Sequence, residues 1–309
     1  MTRGPVARMR RGAGTIAVAT ALLVGVAGLA GCATGNGGVG GRTGEFESAE
    51  ATPGTEAGAS STPGTTSGGA AVPLLPDNAV VDYQLGGGYP PSDGVTVVAR
   101  DSTDEPAEGL YSICYLNGFQ TQPGADWPDE LVLHDASGAE VFDPGWPDER
   151  LLDISTADKR EAIAERFQPA IAGCRADGFQ AVEFDNLDSY TRSDGAFGVD
   201  DAVGLATLLV ASAHTEGLAA GQKNTAELAD RGRTEIGFDF AVTEECRRFD
   251  ECATYTDVYG AQVIDIEYTD DLGGTVAEVC ADPQLPPASV IRDRDLVPAG
   301  AKGHVEERC

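Results

Sequence analysis

The sequence predicts an α/β chain whose folded part is a (β/α)8 (TIM) barrel, preceded by a signal peptide and a disordered linker. Three observations predict it. Short apolar, β-branched runs alternate with stretches of helical periodicity. Eight such runs fall within about 220 residues, the size of one (β/α)8 domain. Polar, mostly acidic residues recur where those runs end, and in this fold all strand ends surround one mouth.

The chain opens with Arg3, Arg8, Arg10 and Arg11 and no acidic residue, followed by an apolar run from Thr15 to Leu29. A charged segment before a short apolar one is the layout of a secretory signal, and the run is too short and too rich in small residues to suit a spanning helix. It ends in Leu29-Ala30-Gly31-Cys32, which resembles a bacterial lipobox. Residues 1–31 are therefore expected to be a lipoprotein signal peptide, with Cys32 lipidated and the protein exported and anchored to the outer face of the cell membrane. Cleavage by an ordinary signal peptidase, with Cys32 incidental, is the alternative. Residues 32–72 are almost entirely Gly, Ser, Thr, Ala and Glu, with Pro53 and Pro63. They bury too little apolar surface to offset ordering entropy, so a flexible tether is expected. Residues 73–309 are left for one folded domain.

Within that domain the predicted strands are Ala79–Tyr83, Val95–Arg100, Leu110–Leu116, Gln180–Phe184, Leu218–Gln222, Phe238–Thr243, Gln262–Ile266 and Ala288–Ile291. Helices are predicted over Thr156–Ala176 and Asp200–Glu216, the second opened by two aspartates and closed by Gly217. Weaker ones are read at Thr225–Arg233, Glu251–Tyr259 and Thr275–Ala281. Strand–helix alternation with buried-type strands indicates a parallel sheet. A doubly wound nucleotide-binding sheet is disfavoured, because Gly86-Gly87-Gly88 runs into Tyr89-Pro90-Pro91 and does not open a helix.

The composition excludes some partners. The chain has 21 basic against 50 acidic residues, a net charge of −29, and four of the basic residues lie in the leader. Nucleic acid is a poor partner for such a surface, whereas a cationic polymer would be concentrated by it. Giving Cys32 to lipid leaves an even number of cysteines, which in an exported chain suggests disulfides. Position favours Cys246 with Cys252, Cys280 with Cys309, and Cys114 with Cys174, among 15 possible connectivities. There is no C-x-x-C pair, and His134, His214 and His304 share no ligand spacing, so no metal and no cofactor are expected. A monomer is expected.

The candidate chemistry lies at the strand ends. Asp101, Asp188 and Asp293 read as turns or caps. Asp185 differs: it closes an apolar run flanked by Glu183 and Asn186, with Tyr190 behind it. Glu244 likewise follows Phe238-Asp239-Phe240-Ala241-Val242. A carboxylate at the end of a buried strand is rigid and partly desolvated, and two carboxylates flanking a bond are what glycosidic cleavage needs. No G-x-S-x-G elbow competes, and His214 lies within a helix and reads as structural.

The ordered motifs resemble glycoside hydrolase family 114, the endo-α-1,4-polygalactosaminidases. They are Tyr83-Gln84-Leu85-Gly86, Cys114-Tyr115, Trp146-Pro147-Asp148-Glu149-Arg150 with Leu152-Asp153-Ile154, Gly178-Phe179, and Val182-Glu183-Phe184-Asp185-Asn186-Leu187-Asp188-Ser189-Tyr190. Gly221-Gln222-Lys223-Asn224, Phe238 through Glu244-Glu245-Cys246, Glu251-Cys252 and Ile266-Glu267-Tyr268 complete the series. The resemblance implies a (β/α)8 fold, endo-hydrolysis of α-1,4-linked galactosamine polymers, and Asp185 and Glu244 as catalytic carboxylates. The substrate-binding candidates are Tyr83, Gln84, Tyr115, Asn186, Asp188, Tyr190, Lys223, Asn224, Glu267 and Tyr268. Tyr83, Tyr115, Tyr190 and Trp146 are candidates for stacking on sugar, Lys223 for pairing with a catalytic carboxylate, and Glu267 for binding a sugar ammonium or supporting the carboxylates. Thr243, Leu151, Asp82 and the loop Leu116–Pro123 depart from the family pattern and are expected to line the mouth. They motivate a second reading, a non-catalytic carbohydrate-binding surface lipoprotein on the same barrel. A third, a surface interaction protein using the barrel as a spacer, predicts no sugar affinity.

Overall fold

The computed structural model describes residues 71–309; the signal peptide, Cys32 and nearly all of the tether lie outside the described residues. Nine strands form one sheet in sequence order: β1 (Val81–Tyr83), β2 (Val97–Asp101), β3 (Tyr111–Asn117), β4 (Ala181–Asp185), β5 (Ala219–Lys223), β6 (Phe240–Glu244), β7 (Val263–Tyr268), β8 (Ala288–Arg292) and β9 (Glu306–Arg308). The first eight are parallel, and β9 pairs antiparallel with β8.

All eight predicted strands are present, and all but the first run at least one residue further than their apolar runs. Backbone ladders continue through polar side chains, so Asp101, Asn117, Asp185, Lys223, Glu244 and Tyr268 are the last residues of strands rather than the first of loops. The helices are α1 (Ala157–Asp177) after β3, α2 (Val199–Thr215) after β4, α3 (Ala229–Arg231) after β5, α4 (Cys252–Tyr259) after β6 and α5 (Val276–Cys280) after β7. The β1–β2 and β2–β3 connections contain no helix. Thr156 caps α1 through its side chain, and Gly178, with φ 105°, ends it.

The predicted helix over Thr225–Arg233 breaks into a 3-10 turn, the single turn α3 and a π turn over Gly232–Ile236. Gly232 explains the break. A Cβ there would lie 2.1 Å from Gln222 Oε1 and 2.7 Å from the Tyr259 hydroxyl. The backbone closes over this hydrogen-bonded pair, and the Gly232 carbonyl accepts from both Gly237 and Phe238.

Alternation along the strands makes two cores. Val81, Tyr83, Ile113, Ala181, Ala219, Phe240, Val242, Ile264, Ile266, Tyr268 and Val290 cluster inside the barrel. Cys114, Leu116, Val182, Phe184, Ala220 and Ala241 cluster with the apolar faces of α1 and α2 outside it. The barrel floor is tight at Gly221, where a Cβ would meet the Phe240 ring at 2.5 Å.

The seam between β8 and β1 carries no ladder, and β9 takes the free edge of β8. Arg292, fully buried, closes it. Its guanidinium donates to the carbonyls of Tyr83, Val297 (3.2 Å) and Val305 (2.8 Å) and lies 3.4 Å from Asp82. Disulfides join Cys114 to Cys174 (β3 to α1), Cys246 to Cys252, and Cys280 to Cys309 at the C-terminus, the pairing favoured by position. Among the described residues no helix is long and apolar enough to cross a membrane.

Removing the guanidinium leaves Asp82 and several carbonyls buried without their cation. Arg292→Met should therefore lose about 3–5 kcal/mol of stability, read from chemical denaturation at neutral pH.

Candidate active site

Three neighbouring strands end in charged residues that share one point. Lys223, last residue of β5 and 2 % exposed, places Nζ 3.3 Å from Glu244 Oε2 on β6 and 3.6 Å from Asp185 Oδ2 on β4. A third carboxylate, Glu183, lies 3.3 Å from the same nitrogen and is fully buried. Asp185 and Glu244 keep 20 % and 29 % exposure, so they form the open side of the cluster and Glu183 its closed side.

Each carboxylate of the open pair is fixed by donors. Asp185 accepts from the Tyr115 hydroxyl at 2.7 Å and from the Asn186 amide at 2.8 Å. Glu244 accepts from the Tyr268 hydroxyl and from Asn224 Nδ2 at 2.9 Å, while its own amide donates to Asn224 Oδ1 at 2.8 Å. The backbone turns sharply straight after each charged residue. Asn186, Asn224, Thr225 and Glu245 all have positive φ, between 49° and 66°. Non-glycine residues in that region store strain, which persists where the surroundings fix the geometry.

The charges resolve accordingly. Burial works against the Lys223 ammonium, but Asp185, Glu244, Tyr83 and Glu183 together push its pKa well up, so it stays protonated. Burial raises Glu244 as well, yet Lys223 with the hydrogen bonds from Tyr268 and Asn224 outweighs it and holds the carboxyl below its ordinary value. Glu183 goes the other way: burial pushes it up to about 7, against the pull of Lys223 and Tyr83.

The other sequence candidates divide. Tyr115, Asn186, Asn224 and Tyr268 hold the open pair, as described. Asp188 pairs with Arg192 at 2.7 Å, and Arg192 also reaches Asp143 and Asn186 beside the mouth. Tyr190 donates to Glu227 and touches neither carboxylate of the pair. Trp146, half exposed, stands on the long β3–α1 connection, where its amide donates to Asp143.

Several expectations are corrected. Tyr83 is fully buried inside the barrel and donates to Glu183 at 2.7 Å, so it offers no stacking face. Gln84 points to the opposite side, where it bonds Asp82, Arg100 and the Tyr89 amide. Glu267 is fully buried on the outer face of β7; it accepts from the Arg247 amide at 2.8 Å and braces the turn after Glu244. Of the departures from the family pattern, only the start of the Leu116–Pro123 loop borders the mouth, where Asn117 accepts from Asn186 and the Gly118 amide donates to the Asp185 carbonyl. Thr243 is buried and donates to Asp265, Leu151 lies in the outer core, and Asp82 faces Arg292. In the Leu116–Pro123 loop, Gln120 is buried and donates to Asp143.

Glu183 is the functional candidate that sequence reasoning passed over, although its signal was present. Residues 181, 183 and 185 share one face of β4, so a carboxylate two before Asp185 must also point inward.

Comparison with known proteins gives the family and the fold. The model of glycoside-hydrolase family GH114 matches residues 62–309. The crystal structure of Aspergillus fumigatus Ega3 in complex with galactosamine superposes with a TM-score of 0.61 at 20 % identity, over 80 % of this chain and 100 % of that one. The glycoside hydrolase domain of PelA from Pseudomonas aeruginosa superposes with a TM-score of 0.48 at 14 % identity, over 74 % and 99 %. No curated protein sequence matches.

Lys223→Met should leave three carboxylates around one buried point with no cation. The loss should be about 3–5 kcal/mol at pH 7, and it should shrink as pH falls and the carboxyls take up protons. Denaturation midpoints at pH 7 and pH 5, compared with wild type, check both the size and the sign.

Proposed function

The chain belongs to glycoside hydrolase family GH114 and is a glycoside hydrolase, and from that premise we propose endo-cleavage of an α-1,4-linked galactosamine-type polysaccharide by Asp185 and Glu244. The observation that carries this reading is the shared ammonium. Two oxygens held within 3.6 Å of one nitrogen are at most about 7 Å apart, close enough to flank one glycosidic bond.

In the proposed reaction one carboxylate oxygen attacks the anomeric carbon. The bond from that carbon to the bridging oxygen breaks, its electron pair stays on the oxygen, and the proton of the other carboxyl follows. Water then attacks the glycosyl ester with its proton taken by the second carboxylate, which frees the first. Lys223 stabilises whichever carboxylate is ionised at each stage. Tyr115, Asn186, Asn224 and Tyr268 keep both oriented.

The substrate class rests on charge and on likeness. A deacetylated hexosamine polymer is cationic, the mouth is acidic, and the chain's net charge is −29. Ega3, which shares the fold, is complexed with galactosamine. The leader supports work at the outer face of the cell membrane, with Cys32 carrying the lipid and residues 32–72 as the tether.

Incubation with partly deacetylated α-1,4-galactosamine oligomers should yield new reducing ends. Asp185→Asn and Glu244→Gln should each lower kcat by about 10³-fold or more while remaining folded. Binding without products from any α-linked hexosamine polymer would instead support a carbohydrate-binding surface lipoprotein.

A further inference from the structure

The cluster contains one more ionisable group than a two-carboxylate reaction uses. Glu183 is fully buried, and its Oε2 has no hydrogen-bond partner among the described residues. Its other oxygen accepts from Tyr83 at 2.7 Å and lies 3.3 Å from Lys223 Nζ, the same distance as Glu244 Oε2. A carboxylate is costly in such a place unless a cation needs it.

The need is visible in the charge balance. During the reaction proposed above the open pair carries one proton or one ester at every stage, so it presents a single negative charge. That charge moves from one carboxylate to the other as the glycosyl ester forms and breaks. Lys223 sits between them and would follow the charge if nothing else held it. We propose that Glu183 is a positioning residue for this reaction: the fixed counter-charge that keeps the Lys223 ammonium centred between Asp185 and Glu244 while the charge of that pair changes sides. This rests on the hydrolase reading.

The surroundings fit such a role. The charged and titratable groups facing Glu183 are Tyr83 from β1, Tyr115 from β3, Asp185 from its own strand, Lys223 from β5 and Glu244 from β6. Tyr83 and Lys223 favour the ionised form, while Asp185 and Glu244 oppose it, and with burial they bring the group up to about 7. Glu183 therefore gains and loses its proton near neutrality, and it is in its ionised form that it acts as the counter-charge. An ionised Glu183 in turn raises the proton affinity of whichever member of the pair is the general acid. A carboxyl whose folded value lies above its ordinary 4.5 binds more protons in the native state. Its contribution to stability is accordingly greatest below that ordinary value and falls as pH rises to about 7.

Glu183→Gln keeps an acceptor for Tyr83 and removes the charge. In the full-length protein acting on deacetylated galactosamine oligomers, kcat should fall about tenfold or more with KM within about twofold, since Glu183 cannot touch substrate. The alkaline limb of kcat/KM should move down by about 1 pH unit. Stability should fall less than in wild type as pH rises from about 5 to about 7. An unmoved limb with a lowered melting temperature would make Glu183 structural and overturn the proposal. So would a wild-type-like fall of stability with pH. If wild type itself releases no reducing ends, the hydrolase reading fails on its own measurement, and the positioning role falls with it.

Discussion

A single buried ammonium organises this protein. Lys223 is taken out of water at the end of β5, and the carboxylates of β4 and β6 supply the negative charge that compensates it, with the Tyr83 hydroxyl accepting a hydrogen bond at 3.2 Å. Because one cation answers several anions, the anions must come together, and two otherwise separate strand ends become one site. The barrel beneath serves this point. Gly221 lets the Phe240 ring fill the floor directly under Lys223, and Tyr83 occupies the space beside Glu183. Water is thereby kept from the closed side of the cluster, where charge interactions are strongest.

Around that point the backbone is held in conformations it would not adopt freely. The residues that follow Asp185, Lys223 and Glu244 all turn through the left-handed region. Their side chains repay the distortion locally. Asn224 clasps Glu244 through both ends of its side-chain amide, Nδ2 donating to the carboxylate and Oδ1 accepting from the Glu244 backbone N–H, and Asn186 links Asp185 to Asn117 and Arg192. Glu245 pairs with Arg294 at 2.7 Å, and Arg294 lies over the Tyr268 ring. Outside β7, Asp265 and Glu267, both raised by burial, brace the turn that carries Cys246. The site is thus rigid from both faces of the sheet.

Much of this was legible in the sequence, because strands of a parallel barrel are buried on both faces and read as apolar runs. The same property hid which way their polar residues point. In β7 the inward Ile264, Ile266 and Tyr268 alternate with outward Asp265 and Glu267, and no solvent-facing pattern marks the difference. The sequence pattern consequently puts Glu267 in the mouth and Tyr83 on a sugar, whereas one braces a loop and the other is core. The seam escaped for another reason. It depends on Arg292 meeting a strand some two hundred residues earlier, and β9 is too short and too charged to signal itself. Asp185 and Glu244 stand out in the sequence because they end apolar strands and match the family motifs. Their common partner Lys223 reads in the sequence as no more than one possible ion pair, since convergence is a property of the closed barrel.

The distance that Lys223 imposes has a chemical signature. Carboxylates about 5–5.5 Å apart attack and protonate in turn and retain configuration, while those about 6.5–9.5 Å apart admit a water and invert it. The shared ammonium caps the separation of the two nearest oxygens at about 7 Å, and the reaction proposed above, nucleophilic attack by a carboxylate, requires the shorter range. Proton NMR of the first-formed reducing ends, recorded before mutarotation, reads this directly. The account predicts the α-anomer from an α-linked galactosamine oligomer; first-formed β-anomer would contradict it.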